Sequence, residues 1–216
     1  DFNSLIARLD SNAEELKVIV NKLEDVKEFI KKARSSKKII LKTISRTGNI
    51  LEKNIMQIYL SVDGEELFWA DESQIDEIKE LLVDEDLRVY GYNLKEDYIA
   101  LRPYGISLSN IYFDIAIAEY LIDSSSSNYT YDSIAMNYFG QKIKSSEELL
   151  GKGVKAKKYE DLEKEELDNT IGSIVQLVEK VTPKMEEKLV NMDMDGLFYH
   201  VEMPLVEVLG YMEYEG

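Results

Sequence analysis

The stretch Val89-Tyr90-Gly91-Tyr92-Asn93-Leu94-Lys95-Glu96-Asp97 decides the fold, because an apolar run passes through one glycine directly into a segment rich in helix formers. We predict a strand over 88–90 and a short helix over 93–102. The same pairing follows at once, with a strand around 110–112 and a helix over 114–122. This alternation of strands and helices predicts a sheet covered by helices.

The residues before this stretch predict an antiparallel meander. Three apolar runs follow one another, and Asp63-Gly64 between the second and the third is a strong hairpin signal. These runs are 39–41, 56–62 and 67–70. Amphipathic helices are predicted on either side of the meander, over 23–33 and 71–83. The meander strands and the later strands together predict one mixed sheet of about five strands.

Beyond residue 122 the apolar spacing is helical only. We predict a helix over 131–138, one or two helices over 162–190 with an interruption near Thr182-Pro183, and a last helix that begins around Phe198. Residues 140–158 are predicted to be a lysine-bearing loop. The predicted fold class is α/β, with a mixed sheet flanked by helices and a helical C-terminal part.

The composition limits which chemistry the chain can perform. It has 216 residues, no cysteine and one histidine, so carboxylates are the only plausible metal ligands. The 26 basic and 42 acidic residues give a net charge of −16, which repels nucleic-acid phosphate. We therefore expect any contact with DNA to be weak or indirect.

The same composition bears on where the protein works. No apolar run approaches the ~18 residues of a membrane span, and no signal-peptide pattern opens the chain. We expect a cytoplasmic location and no membrane partner, and the lack of cysteine fits a reducing compartment. The chain starts at Asp1 and stops inside an apolar-periodic segment, so we expect it to be a piece of a longer protein.

Two parts of the sequence resemble a known enzyme family. Residues 89–97, with 104–108 and 113–123 after them, resemble the second and following motifs of the 3′-to-5′ proofreading exonuclease domain of bacterial family A DNA polymerases. Residues 201–209, followed by Met212-Glu213 and Gly216, resemble the helix that opens the polymerase domain of those enzymes. Gly151-Lys152-Gly153 also stands where that family has Gly-Lys-Gly. The resemblance covers residues 22 to 216 in the family's order.

The resemblance implies a ribonuclease-H-like fold and a division of the chain into three parts. Residues 1–21 are expected to be a linker with a possible short strand at 16–20. Residues 22–195 are expected to be the exonuclease-like domain, and residues 196–216 the truncated first helix of the polymerase domain. The expected partner is the polymerase domain of the same parent chain.

In that family, cleavage of a terminal phosphodiester uses two divalent ions held by carboxylates. The family's first-strand Asp-x-Glu falls at Lys42 and Ile44, and residues 39–50 contain no Asp or Glu in any register. The second motif keeps Asp97, in Asn93-x-x-x-Asp97, with Glu96 in place of the usual aromatic residue. One of these three carboxylate positions therefore keeps its acid.

The family's third motif, Tyr-x-x-x-Asp, is also incomplete. By ungapped count it falls at Thr170 and Ile174, and a two-residue shift gives Asp168 and Gly172. Tyr159-x-x-x-Glu163 imitates the spacing but lies too early in the chain, so we do not favour it.

We therefore expect Lys42, Ile44, Asp97, Thr170 and Ile174 to be vestigial site positions, with no catalytic residue, no metal and no cofactor. A single carboxylate cannot hold two divalent ions, and an ammonium at the site repels an incoming cation. We expect Lys42 and Asp97 to approach each other as an ion pair. The resulting prediction is a non-catalytic structural domain of a bacterial DNA polymerase I.

Two alternatives remain open at this point. An active exonuclease could recruit carboxylates from elsewhere, for example Asp114 or Glu119. A metal-free module could instead hold single-stranded DNA through its tyrosines and the loop from Lys152 to Lys158.

Overall fold

A single mixed sheet organises the protein in our computed structural model, which describes residues 15–126 and 128–216. In the described part it has six strands in the order β1-β4-β3-β2-β5-β6. The strands are β1 (Val20–Lys22), β2 (Lys38–Ser45), β3 (Ile55–Ser61), β4 (Leu67–Asp71), β5 (Arg88–Gly91) and β6 (Ile111–Asp114). β2, β3 and β4 are antiparallel neighbours, whereas β2, β5 and β6 run parallel. The meander, the hairpin at Asp63-Gly64 and the mixed sheet are confirmed.

Helices cover both faces of this sheet. They are α1 (Val26–Ser36), α2 (Ile75–Leu82), α3 (Leu94–Leu101), α4 (Ile115–Ile122), α5 (Tyr131–Phe139), α6 (Ser146–Leu150), α7 (Lys164–Asn191) and α8 (Met203–Glu215). Phe68 of β4 meets Phe29 of α1 edge to face, with ring centroids 5.7 Å apart. The next residue, Trp69, points to the opposite face because strand side chains alternate, and there Lys164 of α7 lies 3.6 Å from its ring centroid. The apolar core fills both spaces between helices and sheet.

The structure differs from the sequence-based expectations at three places. The N-terminal strand lies at Val20–Lys22 rather than at 16–20, and Ile19 is 79% exposed. The stretch 140–158 is not all loop, because Ser145 caps a short helix, α6, with its side chain. The predicted interruption near Pro183 is wrong, since α7 runs unbroken from Lys164 to Asn191. The part of the expected linker that spans residues 1–14 lies outside the described residues.

Burial explains why α7 continues through its proline. A proline inside a helix removes one backbone hydrogen bond and clashes with the preceding turn. Pro183 is exposed, whereas Val181, Thr182 and Met185 beside it are buried. The packing of α7 along the whole sheet therefore outweighs the local cost of the proline.

The C-terminal helix docks beside the strand-to-helix unit that decides the fold. A helical turn at Asp195–Leu197 and a π-helical turn at Phe198–Glu202 lead into α8, which packs on α3 and β6. The contact with α3 is close at Gly210, where an added Cβ would lie 2.6 Å from Cδ1 of the buried Tyr98 ring. In the described part of the chain, no helix has the length and apolar character that crossing a membrane requires.

The close approach at Gly210 predicts that Gly210→Ala destabilises the protein. Overpacking against a buried ring costs about 1–3 kcal/mol, whereas the gain in helix propensity is at most ~1 kcal/mol. We expect a net loss of roughly 1 kcal/mol in urea unfolding, followed by the fluorescence of the single tryptophan, Trp69. Gly196→Ala is the matched control, because among the described residues no atom outside the local backbone and its chain neighbours lies within 4 Å of the added Cβ. Equal stability of the two variants contradicts this account of the interface.

Candidate functional site

Lys42 and Asp97 meet at the C-terminal half of β2. Lys42 Nζ lies 3.4 Å from Asp97 Oδ2, so the predicted ion pair is confirmed. The ammonium also lies 3.1 Å from the backbone oxygen of Tyr92 and 3.5 Å from Glu96 Oε2. Both members of the pair are buried, with exposed fractions of 7% for Lys42 and 0% for Asp97. The ammonium thus has three oxygen neighbours and almost no contact with solvent.

The other oxygen of Asp97 fastens α3 to β2. Asp97 Oδ1 accepts hydrogen bonds from the backbone N–H of Thr43 at 2.8 Å and from its hydroxyl at 2.7 Å. The approach of α3 is tight, because Gly91 leaves room for the side chain of Leu94, which an added Cβ would meet at 2.4 Å. The carboxylate is therefore fully engaged on both oxygens, by Thr43 and by Lys42.

Burial and charge oppose each other at this pair. Burial raises the pKa of Asp97 to about 6, although the nearby ammonium of Lys42 and the two hydrogen bonds from Thr43 lower it. Burial by itself lowers the pKa of Lys42, but the carboxylates of Asp97, Glu96 and Asp114 together raise it above its ordinary value. At neutral pH both groups are therefore charged and the ion pair is intact.

The two carboxylates considered as replacement ligands have other partners. Asp114 accepts hydrogen bonds from the backbone N–H groups of Asn93 (3.1 Å), Leu94 (2.8 Å) and Ala116 (3.0 Å), so it caps the starts of α3 and α4. Glu119 Oε2 accepts a hydrogen bond from the Tyr138 hydroxyl at 2.6 Å. Asp114 thus orders the strand-to-helix turn, and Glu119 joins α4 to α5.

The remaining expected site positions are buried in the core. Ile44 on β2 and Ile174 on α7 are apolar core residues, each 3% exposed. Thr170 on α7 is buried too, and its hydroxyl has no hydrogen-bond partner among the described residues. None of these three side chains carries a charge. The positions to which the third motif aligns by ungapped count are therefore occupied by packing residues.

The shifted alignment of the third motif places a carboxylate, Asp168, on α7, where it contacts the strand beside Lys42. Tyr59 of β3 is the cross-strand partner of Lys42, and its hydroxyl donates to Asp168 Oδ1 at 2.6 Å. Asp168 Oδ2 accepts from Lys164 Nζ at 2.7 Å. The second position of this alignment is Gly172, where an added Cβ would meet Val20 Cγ2 at 2.6 Å. Asp168 is thus held by Tyr59 and Lys164, and Gly172 is a packing position for β1.

The turn that carries Tyr159, which the sequence did not favour as a site residue, packs beside the end of β2. Tyr159 is half-buried on a 3₁₀ turn at Tyr159–Asp161, and burial raises the pKa of its hydroxyl. The Lys42 ammonium lowers this pKa and the Glu96 carboxylate raises it. Glu160 accepts a hydrogen bond from the backbone N–H of Thr47 at 3.3 Å. This turn therefore lies beside the C-terminal end of β2.

Thr43 is a site residue that sequence reasoning did not single out. It stands between the two expected vestigial positions, and threonine is ordinary in a strand, so its type carries no signal. The sequence marked Glu96 only because it replaces the family's usual aromatic residue, and it did not indicate a contact with Lys42. Across residues 15–126 and 128–216, no three His, Cys, Asp or Glu side chains come close enough together to hold a metal ion.

Comparisons with solved structures place this architecture in a known class. The chain superposes on Escherichia coli RNase D, an exoribonuclease involved in structured RNA processing, with a TM-score of 0.69 and 17% identity over 90% of this chain and 51% of that one. It also superposes on the POL domain of Pol1 from M. smegmatis in complex with DNA primer-template and dNTP. There the TM-score is 0.69 and the identity 16%, over 91% of this chain and 32% of that one. The fold is that of the ribonuclease-H-like exonucleases.

Sequence comparison then gives the family. The family described as DNA polymerase I, ribonuclease H-like domain, matches residues 45–181. DNA polymerase I of Bacillus subtilis is 34% identical over 148 residues, which cover 68% of this chain and 16% of that relative. The chain belongs to the family of ribonuclease H-like domains of DNA polymerase I. It thus spans less than a fifth of the length of that relative.

The raised pKa of Asp97 makes a prediction about pH. The folded state holds the Asp97 proton more tightly than the unfolded chain, so this group stabilises the fold below about pH 4 and loses that contribution as pH rises through about 6. Between pH 4 and 7, we expect the free energy of unfolding of the wild type to fall by roughly 3 kcal/mol relative to that of Asp97→Asn. Urea unfolding at several pH values measures it, and a difference that is independent of pH contradicts it.

Proposed function

We propose that this chain is a non-catalytic, exonuclease-like structural domain of a bacterial DNA polymerase I, whose parent protein performs DNA synthesis in replication and repair. The observation that carries the proposal is the pair of residues at the first-strand positions, a cation at Lys42 and an aliphatic side chain at Ile44. The family's reaction needs carboxylates at these positions, because they hold the metal ions that activate water and stabilise charge on phosphorus.

The residues at the site do not fit a pair of divalent ions. The carboxylate that remains, Asp97, is engaged by Thr43 on one oxygen and by Lys42 on the other. A divalent ion beside Lys42 would be repelled by a buried ammonium, and that repulsion is strong where water is excluded. Asp114 is occupied by three backbone N–H groups. These contacts support a site with no metal, no cofactor and no catalytic residue.

The remaining role is proposed to be architectural, with the polymerase domain of the same parent chain as partner. Val201, Leu205, Val208 and Met212 are spaced by four, three and four residues, so they lie on one side of the C-terminal helix. All four are exposed, whereas Phe198, Met203 and Val206 face the core. We call Val201, Leu205, Val208 and Met212 the outer stripe. An exposed apolar stripe of this kind is typical of an interface.

The proposed domain boundaries are those that the resemblance to the polymerase family implies. Residues 22–195 form the exonuclease-like domain, and residues 196–216 are the first helix of the polymerase domain. Val20 and Asn21 of β1 extend the sheet just N-terminal to that boundary. We propose a cytoplasmic location, as for an enzyme of bacterial DNA synthesis.

One observation favours a second function, the metal-free binding of single-stranded DNA. Lys155, Lys157 and Lys158 are exposed on the loop that leads to Tyr159, whose turn packs beside the end of β2. Lysines bind phosphate and aromatic rings stack on bases, so this loop has the two required residue types. The net charge of −16 opposes such binding. Titration with labelled DNA at low ionic strength tests it, and an affinity weaker than about millimolar removes this candidate.

The proposal predicts that the purified chain does not shorten labelled single-stranded DNA in the presence of Mg²⁺ or Mn²⁺. We expect the products with metal and with metal plus chelator to be the same, because no three carboxylates of the described residues lie close enough together to bind the ions. Asp97→Asn is the matched control, since it removes the one carboxylate retained from the family motifs. Chelator-sensitive shortening by the wild type that Asp97→Asn abolishes overturns the proposal.

The outer stripe makes a separate prediction about partners. In the isolated chain, Leu205→Lys with Val208→Lys should change stability by less than about 0.5 kcal/mol, because both side chains already face solvent. In the longer parent protein, the same two substitutions should lower the unfolding temperature of the polymerase domain, or make the polymerase domain and this domain unfold in separate transitions. Differential scanning calorimetry measures both. Identical unfolding of parent and variant contradicts the assignment of the partner.

A further inference from the structure

Three residues supply the oxygens around the Lys42 ammonium, and each is held in place by contacts that do not involve Lys42; the Glu96 side chain is 64% exposed, so the site is open to solvent on that side. Asp97 is fixed by the two hydrogen bonds from Thr43. Glu96 Oε1 accepts a hydrogen bond from Asn93 Nδ2 at 3.0 Å, which leaves Oε2 directed to the ammonium. Tyr92 contributes a backbone oxygen, and its ring packs edge to face on Tyr131 with centroids 5.5 Å apart. Each of the three ligand oxygens therefore belongs to a residue that has a second, independent anchor.

The number and charge of these oxygens match a single ammonium ion. An ammonium has three N–H donors, and three oxygens surround Lys42 Nζ at 3.1, 3.4 and 3.5 Å. Among the described residues, Lys42 Nζ is the hydrogen-bond partner of Asp97 Oδ2. Removal of the ammonium leaves that buried carboxylate oxygen unpaired, which strongly destabilises a folded protein.

We propose that Tyr92 O, Glu96 Oε2 and Asp97 Oδ2 form a preorganised site for a primary ammonium ion, and that the tethered ammonium of Lys42 is its resident ion. The side chain of Lys42 then stabilises the fold as an internal cation rather than through its carbon stem. The site accepts a free alkylammonium ion when the tether is removed. This role does not depend on whether the chain cleaves DNA.

The test is chemical rescue of Lys42→Ala with n-propylammonium, whose three carbons and nitrogen replace the atoms that the substitution removes. We expect Lys42→Ala to lower the unfolding temperature by about 10 °C near pH 8, because the buried carboxylate of Asp97 loses the ammonium that pairs with it. Tens of millimolar n-propylammonium should restore about 4 °C, as expected for a ligand at roughly ten times its Kd. Tetramethylammonium at the same concentration has no N–H donor and should restore nothing beyond its effect on wild type.

Two further variants keep the test decisive. Lys164→Ala removes a lysine whose ammonium also pairs with a carboxylate, 2.7 Å from Asp168 Oδ2. The Lys164 side chain is 45% exposed, so the unfolding temperature of this variant should respond equally to n-propylammonium and tetramethylammonium. Lys42→Ala with Asp97→Asn removes the unpaired charge, and we expect this double variant to be more stable than Lys42→Ala and unresponsive to n-propylammonium.

Three results overturn the proposal. The first is an unfolding temperature of Lys42→Ala equal to that of wild type. The second is a gain from n-propylammonium no larger than the gain from tetramethylammonium. The third applies if Lys42→Ala does not fold. Failure of the double variant to fold as well then shows that the structure needs the carbon stem of Lys42 and not its charge. The readout is thermal unfolding, so it is independent of the DNA cleavage assay.

Discussion

The fold around the site depends on a buried carboxylate that must be neutralised. Asp97 is completely buried, and its two oxygens connect α3 to β2 through Thr43 and through the ammonium of Lys42. A charge in such a place is tolerated only when it is paired and hydrogen-bonded. The strand-to-helix turn before it is ordered by a second buried carboxylate, Asp114, which caps both α3 and α4. Two carboxylates that resemble catalytic groups therefore act as connectors between elements.

Much of the fold was readable from the sequence, because the signals were local. The hairpin at Asp63-Gly64 and the alternation of strands and helices from residue 88 to 122 fix most of the sheet. The helix through Pro183 could not be predicted, because the packing that outweighs a proline is a tertiary effect. The strand at Val20–Lys22 was misplaced by a few residues for a similar reason, since its position is set by pairing with the distant β4.

The site was predictable in part. The pairing of Lys42 with Asp97 followed from alignment to a family pattern, because both positions lie in motifs that meet in space. The role of Thr43 could not be predicted, since its residue type is ordinary in a strand. Tyr159 has the spacing of the third motif but was not favoured because it lies too early in the chain, although its turn packs beside the end of β2. Asp168 was considered as a ligand position, but its engagement by Tyr59 depends on the cross-strand register of Lys42 and Tyr59. The roles of these residues thus depend on contacts between elements that are distant in sequence, which local patterns do not predict.

The central claim is that an ammonium occupies the place where a divalent ion would need carboxylates. The most direct measurement is anomalous scattering from crystals of this chain soaked in Mn²⁺. Our account predicts electron density for the Lys42 side chain against Asp97 Oδ2 and no anomalous peak beside it. A Mn²⁺ peak coordinated by Asp97 together with a second carboxylate contradicts the account.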